Sequence, residues 1–545
     1  MTYFDLGTYS RPVTTTSPTA QIWFDRGLIW TYAYHHEEAI VCFQRALETD
    51  PECAMAHWGI AYAIGPNYNK PWEAFEEEEK PDALSVALDA AAAAGSLTGK
   101  VTAPEAALIN ALTHRYPDTA DTDDFSPWND RYAAAMRDVY KAHSGDPDIC
   151  CLFAEALMNR TPWELWDLPS GEPAEGADTL EAIKVLETAF ARIEGAWDHP
   201  GLLHMYIHLM EMSPTPERAL RHGDRISTLV PDAGHLLHMP THVDVLCGDY
   251  QNVVSRNHTA IEADRKYLAY AGAENFYSVY RCHNYHFKIY GAMFLGQPET
   301  ALTTADELIA TLPTETLRPM ADWFEGFVPM KQHVLIRFGR WRDIIEQKLP
   351  DEPELYSVTT AMMRYARTVA LANLGDIKAA TAERDAFFAA RDAVQDTRML
   401  FNNSCLDILA VAEQMLLGEL AYKSGDSETA FGHLRQSIEL DDSLPYDEPW
   451  GWLQPTRHAL GALLLDQGLY EEAEAVYRAD LGLDATLSRA CQHPNNVWSL
   501  HGLHECLAHR GEDVEVHHIR QQLDRALARA EVEIRASCYC RQVAS

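Results

Sequence analysis

The sequence lacks the short motifs that identify several common classes of enzyme and metal protein. Its 11 cysteines form no Cys-x-x-Cys pair, which speaks against a zinc ribbon and against a thioredoxin-like redox motif. It contains no Walker loop, no Gly-x-Gly-x-x-Gly turn and no Gly-x-Ser-x-Gly elbow, so nucleotide-binding and serine-hydrolase chemistry have no support. No uncharged apolar run approaches the roughly 20 residues that cross a bilayer.

Basic residues are also scarce, with 44 Lys and Arg against 81 Asp and Glu among 545 residues and a net charge of −37. Such a balance repels a nucleic-acid duplex and an anionic membrane, so we expect neither as a partner. Many cysteines without a pairing pattern are typical of a reducing compartment, and residues 1–20 carry no secretion signal. The sequence therefore predicts a cytoplasmic protein, and its 47% hydrophobic content predicts a folded one.

Alternating β-strand patterns are rare as well, and apolar residues recur at helical spacing almost throughout. One segment carries small and aromatic residues at the positions that define the 34-residue tetratricopeptide repeat (TPR), namely Trp23, Gly27, Ala39, Phe43, Ala46 and Pro51. In such a repeat the small residues let two helices approach, and the aromatic ring fills the gap to the next hairpin. The sequence predicts an all-α fold, a right-handed superhelix of stacked TPR-like helical hairpins around a concave surface.

Further repeats are recognised by a glycine at the turn between their two helices. These turn glycines are Gly248, Gly296, Gly339, Gly375, Gly425 and Gly468. The last repeat also has Gly461, Ala473 and Tyr477 at the packing positions. We predict three regions, which are an N-terminal TPR-like region with insertions (1–180), His-rich central repeats (181–345) and C-terminal repeats (346–545).

Histidines are concentrated in the central region, where residues 199–286 hold ten of the 24. Two His-x-x-x-His pairs occur there, His204 with His208 and His238 with His242. Residues four apart share one face of a helix about 6 Å apart, so two imidazoles can close on one metal ion. The two pairs are 34 residues apart, which is one repeat period, so they occupy equivalent positions in successive repeats.

Neighbouring repeats place more histidines, and one carboxylate, on the same stripe of positions, which faces the inner groove in TPR proteins. Because stacked helices lie roughly 8–10 Å apart, imidazoles from successive repeats can meet there. We predict that a transition metal is held by His204, His208, His238, His242 and His286. We predict that Glu211, His235 and His283 act beside the metal as catalytic groups, and that Tyr290 and His333 line the pocket. A His-rich ligand pocket without metal and a structural role remain alternatives.

A donor set of imidazoles with one carboxylate suits iron, copper or zinc better than magnesium or calcium. The sequence thus predicts a metal-dependent enzyme that acts on a small organic molecule, by redox or oxygen-activating chemistry in preference to hydrolysis, and leaves a homo-oligomer open. The alternative is a non-catalytic TPR scaffold that binds a peptide or protein. Against the scaffold, the inner stripe carries His and Glu in place of the Lys, Arg and Asn of a peptide-carboxylate clamp.

Several longer phrases extend the pattern beyond the generic repeat, including GPNYN, ALMNRTPWELWD, HPGLLHMYIHLMEMSPTPERAL, AGHLLHMPTHV and EPWGWLQPTRHALG. Through these phrases nearly the whole chain resembles a group of large bacterial and fungal TPR-domain proteins, most of them without an assigned activity. The resemblance implies a shared site, and it implies no particular reaction. It adds five pocket candidates, which are His36, His57, Asn67, Asn159 and Trp163.

Overall fold

A computed structural model describes residues 3–116, 122 and 124–541 of the chain. The chain forms two units. Unit 1 comprises Met1–Val243 and Thr259–Tyr277, and unit 2 comprises Asp244–His258 and Ser278–Ser545. Among the described residues, strands occur only as two short antiparallel ribbons, β1 (Trp166–Asp167) with β2 (Glu172–Pro173) and β3 (Met399–Leu400) with β4 (Asn403–Ser404).

The remaining regular structure is helical. The helices that lie wholly in unit 1 are α1 (Pro18–Tyr32), α2 (His36–Thr49), α3 (Ala54–Ala63), α4 (Glu79–Ser96), α5 (Ala103–Leu112), α6 (Ser126–His143), α7 (Pro147–Met158), α8 (Thr179–Arg192), α9 (Pro200–Glu211), α10 (Leu220–Ile226) and α11 (Gly234–His238). Three helices include residues of both units, which are α12 (Pro240–Leu246), α13 (Tyr250–Ala271) and α14 (Tyr277–Leu295).

The helices that lie wholly in unit 2 follow in the same hairpin pattern. They are α15 (Pro298–Ala310), α16 (Thr314–Leu317), α17 (Ala321–Phe324), α18 (Met330–Arg337), α19 (Trp341–Glu346), α20 (Ser357–Asn373), α21 (Ile377–Arg391), α22 (Cys405–Lys423), α23 (Ser427–Asp442), α24 (Arg457–Asp466), α25 (Tyr470–Asp480), α26 (Val497–Arg510) and α27 (Asp513–Leu527).

The first hairpin packs as the repeat positions predict. The helix α1 begins where the Ser17 side chain accepts a hydrogen bond from the Ala20 amide, with a proline in its first turn. The ring of Phe43 in α2 lies against Gly27 of α1 and Gly59 of α3, where an added Cβ would sit 2.6 Å from ring atoms. The aromatic ring therefore fills the space that the two glycines leave, and the helices approach closely.

The turn and packing glycines of the later repeats are also in place. All six predicted turn glycines have positive φ, between 62° and 90°, the left-handed conformation that ends a helix most easily with glycine. In unit 2, the ring of Tyr477 lies against Gly461 and Gly502, which repeats the arrangement of the first hairpin. The predicted fold class, all-α and built from stacked TPR-like helical hairpins, is confirmed.

Two further findings concern cysteines and membranes. Cys538 and Cys540 are joined by a disulfide, and the other nine cysteines occur as thiols. Within the described ranges, no helix combines the length and apolar character that a bilayer crossing requires.

Candidate metal centre

The candidate centre is built mainly on α9, which lies close to the first repeat of unit 1. His199 caps this helix, because its Nδ1 accepts a hydrogen bond from the Leu202 amide at 3.1 Å. At Gly201 there is no room for a side chain, since an added Cβ would lie 2.7 Å from Tyr32 of α1 and from Cys151 of α7. This close approach brings His204, one turn further along α9, to the end of α1.

The short helix α11 brings a third histidine to the pair on α9. Its first residue, Gly234, also leaves no space for a Cβ, which would fall 1.9 Å from Asp264 Oδ1. The His235 amide donates a hydrogen bond to the Tyr277 hydroxyl at 3.1 Å, and that hydroxyl donates to Asp264 Oδ1 at 2.8 Å. The backbone of α11 is thereby fixed where the His235 ring enters the site.

The three imidazoles converge in the interior of unit 1. One ring nitrogen from each of His204, His208 and His235 lies within 4.8 Å of one from each of the others. The His204 ring centroid is 4.7 Å from that of His208 and 4.9 Å from that of His235, and all three residues are buried.

Hydrogen bonds on the far side of two rings fix which nitrogen faces the centre. His204 Nδ1 donates to the Tyr32 carbonyl at 2.7 Å, and His208 Nδ1 donates to Glu211 Oε1 at 2.9 Å. A carbonyl and a carboxylate can only accept, so each Nδ1 carries the proton and each Nε2 carries a lone pair. Among the described residues, neither Nε2 has a hydrogen-bond partner. This is the outer-shell arrangement that orients metal-ligating histidines.

The surroundings keep these imidazoles neutral. Burial lowers the pKa of His204, His208 and His235 well below the ordinary value for histidine, and neighbouring imidazoles lower it further. A neutral imidazole is the form that binds a metal ion. The three rings are therefore in the ligating protonation state at neutral pH.

The second predicted pair joins the same network through Glu211. His242 Nδ1 donates to Glu211 Oε2 at 2.8 Å, so one fully buried carboxylate accepts from two imidazoles. The Nε2 atoms of His242 and His238 are 2.8 Å apart. Of the predicted residues, the structure thus gathers His204, His208, Glu211, His235, His238 and His242 into one cluster in unit 1.

Aromatic rings form one wall of this cluster. The Tyr34 ring lies 4.7 Å from the His204 ring and 5.9 Å from the His208 ring, while Tyr68 and Trp163 lie 5.0 Å and 5.9 Å from His208. Tyr34 and Trp163 both have positive φ, 53° and 61°, a conformation that costs about 1–3 kcal/mol for such residues. Sequence reasoning does not identify Tyr34, which lies within the first repeat, or Tyr68, which lies in the phrase GPNYN.

The other predicted pocket residues of unit 1 lie outside the cluster of imidazoles. Asn67 Nδ2 is 3.5 Å from Nδ1 of the partly buried His36, and both residues line a small cavity that Tyr34 also lines. Asn159 forms the C-cap of α7. His57 is only partly buried, and its Nε2 lies 3.1 Å from the Pro51 carbonyl.

Four predicted residues belong to unit 2. The His283 ring lies 4.7 Å from that of Phe401, and the His286 ring lies 5.7 Å from that of Phe327. His333 packs against Trp452 at 4.8 Å, and Tyr290 packs against Phe294 at 4.5 Å. Burial lowers the pKa of both His286 and His333 to about 3. A metal or catalytic role for His283 and His286 stays a prediction.

Comparisons with known proteins bear on the fold. No family model matches the sequence, and no curated protein matches it. Among solved structures, the chain is similar to Cut9 with Hcn1 (14% identity over 93% of this chain and 76% of that one, TM-score 0.31). It is also similar to human IFIT1 with m7Gppp-AAAA (10%, 95% and 92%, 0.34) and to the TPR domain of P58(IPK) (12%, 94% and 98%, 0.21). These likenesses concern the helical-repeat fold, and the resemblance to bacterial and fungal proteins stays a prediction.

The same structures overturn the predicted partners. The prediction of a small-molecule substrate and no nucleic acid is wrong when set against two of them, because Cut9 is held with Hcn1 and IFIT1 with m7Gppp-AAAA. The physical reason is that a net charge summed over 545 residues does not fix the sign of the potential on one local surface. Histidine spacing likewise specifies ligands for an ion and not the molecule beside it.

Proposed function

We propose that the protein is a metal-binding helical-repeat scaffold, in which unit 1 holds a transition-metal ion on His204, His208 and His235. One observation carries the proposal, namely three buried imidazole nitrogens within 4.8 Å of one another. Tetrahedral ligands at 2.0–2.1 Å from zinc lie about 3.4 Å apart. Small ring rotations would bring these nitrogens to that spacing.

The donor chemistry supports the choice of metal. Imidazole nitrogen is a good ligand for zinc, copper and iron, and the cluster offers no thiolate. The Tyr32 carbonyl and the Glu211 carboxylate already hold the Nδ1 protons of His204 and His208, so binding an ion at Nε2 requires no rearrangement of these bonds. We therefore propose iron, copper or zinc as the resident ion.

Metal analysis of the full-length protein tests this proposal. We expect about one equivalent or more of transition metal in the wild type, and loss of the triad's ion in a His204→Ala/His208→Ala variant. His222→Ala is the matched control, because His222 is a buried imidazole of unit 1 that packs against Trp197 and Tyr206. A wild type that neither contains nor takes up zinc, copper or iron(II) at micromolar concentration would overturn the proposal.

A metal-dependent enzyme is the second candidate. Catalytic sites commonly use three protein ligands and keep a further position open, and the triad provides three. The two strained aromatic residues, Tyr34 and Trp163, add support, because backbone strain is often stored at functional sites. When bound, the ion would supply Lewis-acid or redox chemistry at that open position.

An anion titration separates the two candidates. In the cobalt(II)-loaded protein, azide binds to an exchangeable position and changes the visible absorption spectrum. A clear spectral change would support the enzyme. An unchanged spectrum would indicate a coordinatively closed ion with a structural role in the scaffold.

A further inference from the structure

A second pair of imidazoles lies beside the triad, with two of their ring nitrogens in close contact. The Nε2 atoms of His238 and His242 face each other at 2.8 Å. Both residues are buried, at 0% and 2% exposure. At this distance one of the two nitrogens must carry a proton, or a cation must lie where both lone pairs point.

The proton on His242 is accounted for by Glu211. His242 Nδ1 lies 2.8 Å from Glu211 Oε2, and an ionised carboxylate can only accept a hydrogen bond. A His242 ring with a single proton therefore carries it on Nδ1. Its Nε2 presents a lone pair to His238.

Thr241 supports the same arrangement on His238. The Thr241 hydroxyl donates its one proton to the His238 carbonyl at 2.7 Å, and its oxygen lies 3.4 Å from His238 Nδ1. With its proton already used, the hydroxyl offers a lone pair to that nitrogen, which favours a proton on Nδ1. In that tautomer His238 Nε2 also carries a lone pair, and two acceptors face each other across 2.8 Å.

From this we infer that His238 and His242 hold a second transition-metal ion, an inference that rests on the proposed metal-binding function. Two nitrogens bound at about 2.0–2.1 Å to one ion lie about 2.9 Å apart at a right angle, as in tetragonal copper(II) sites, and about 3.4 Å apart at the tetrahedral angle. The observed separation of 2.8 Å is close to the right-angle value.

The second ion would belong to the same centre as the first. The His242 ring lies 6.0 Å from the His208 ring, and the His238 ring lies 6.0 Å from the His235 ring. Glu211 gives one oxygen to His208 and the other to His242, so it is the shared outer carboxylate. A divalent cation on each side would also offset the charge of this fully buried carboxylate.

Metal stoichiometry in the full-length protein tests the inference. After zinc loading and removal of loosely bound ions, we expect two equivalents in the wild type. We expect one in His238→Ala/His242→Ala and one in His204→Ala/His208→Ala, with His222→Ala unchanged. One equivalent in the wild type, unaffected by His238→Ala/His242→Ala, would show a shared proton between these rings and overturn the inference alone. No metal in the wild type would overturn the proposed function as well.

A second measurement needs no variant, and it decides the matter if buried alanine substitutions prevent folding. Copper(II) is added to the wild type in steps and followed by electron paramagnetic resonance. With two ions in one centre, the second equivalent should broaden or quench the signal of the first through spin–spin coupling. A signal that saturates at one equivalent, with further copper free in solution, would contradict a second site.

Discussion

Glu211→Gln should weaken metal binding by about 10–100-fold without unfolding the protein. The Glu211 carboxylate accepts the Nδ1 protons of His208 and His242 at 2.9 and 2.8 Å. Glutamine has the same shape, but it offers one acceptor oxygen and one donor amide, so it can accept from only one ring. The other ring must lose its hydrogen bond or move its proton to Nε2, where it blocks coordination.

The size of the expected loss in metal affinity follows from the loss of one of these hydrogen bonds. A hydrogen bond to a charged group contributes about 1.5–3 kcal/mol, and each 1.4 kcal/mol corresponds to a factor of ten in affinity. The resulting factor of about 10–100 agrees with the usual effect of removing an outer-shell partner of a ligating histidine.

Competition with a chromophoric chelator at pH 7.5 measures the zinc affinity. Spectra of 15N-histidine-labelled protein report which ring nitrogen carries the proton. Glu187→Gln is the matched control, because Glu187 accepts from the Tyr206 hydroxyl of α9 at 2.8 Å but touches no imidazole of the cluster. If Glu211→Gln binds zinc as tightly as the wild type and keeps both Nδ1 protons, the argument from tautomers is wrong.

Three further predictions concern packing, pH and the limits of the site. Gly502→Ala should lower the free energy of unfolding by about 1–3 kcal/mol, because its Cβ would fall 2.2 Å from the Tyr477 ring. Gly432→Ala, with nothing within 4 Å, should instead stabilise by up to about 1 kcal/mol in urea titrations. Burial raises the pKa of Glu419 from 4.5 to about 7, so stability should fall by at most about 3 kcal/mol as pH rises through that window. Glu419→Gln should remove this loss. If the variant's free energy of unfolding exceeds that of the wild type by the same amount at pH 5 and pH 8, the prediction is wrong. His57→Ala should leave the metal content unchanged. Loss of one equivalent of metal in this variant would show that His57 belongs to the metal site.

The repeat positions could be read from the sequence because their physical requirements are local. A ring such as Phe43 needs a partner without a side chain, and Gly27 supplies one at a fixed spacing. The i,i+4 spacing of His204 and His208 likewise requires only that the segment be helical. Both features were therefore predictable from short-range patterns.

The repeat spacing did not indicate that His235 would lie beside His204 and His208, and the reason is physical. A strict 34-residue register matches His238 with His204, but the ring nitrogens that cluster with His204 and His208 include one from His235. The helix α11 is only five residues long, and a new helix begins at Pro240. Because proline interrupts the helical hydrogen bonds, the histidines on its two sides do not share one continuous helical face.

The aromatic wall was beyond prediction for another reason. Tyr34 reaches the cluster from the turn between α1 and α2, with a positive φ that the sequence does not reveal for a tyrosine. Such a conformation persists only because the surrounding packing holds it. Spacing rules for regular helices give no information on a side chain placed by an irregular turn.

The absence of a side chain at Gly201 makes the metal affinity of the centre depend on a position outside it. Because an added Cβ would lie 2.7 Å from the Tyr32 ring and from the Cys151 sulfur, even alanine would force α9 outward by something on the order of 1 Å. That shift is of the same order as the change from a spacing within 4.8 Å to one of about 3.4 Å that the ring nitrogens need to bind an ion. A substitution at Gly201 would therefore change the metal affinity without contacting the ion, because it changes how closely α9 packs against its neighbours.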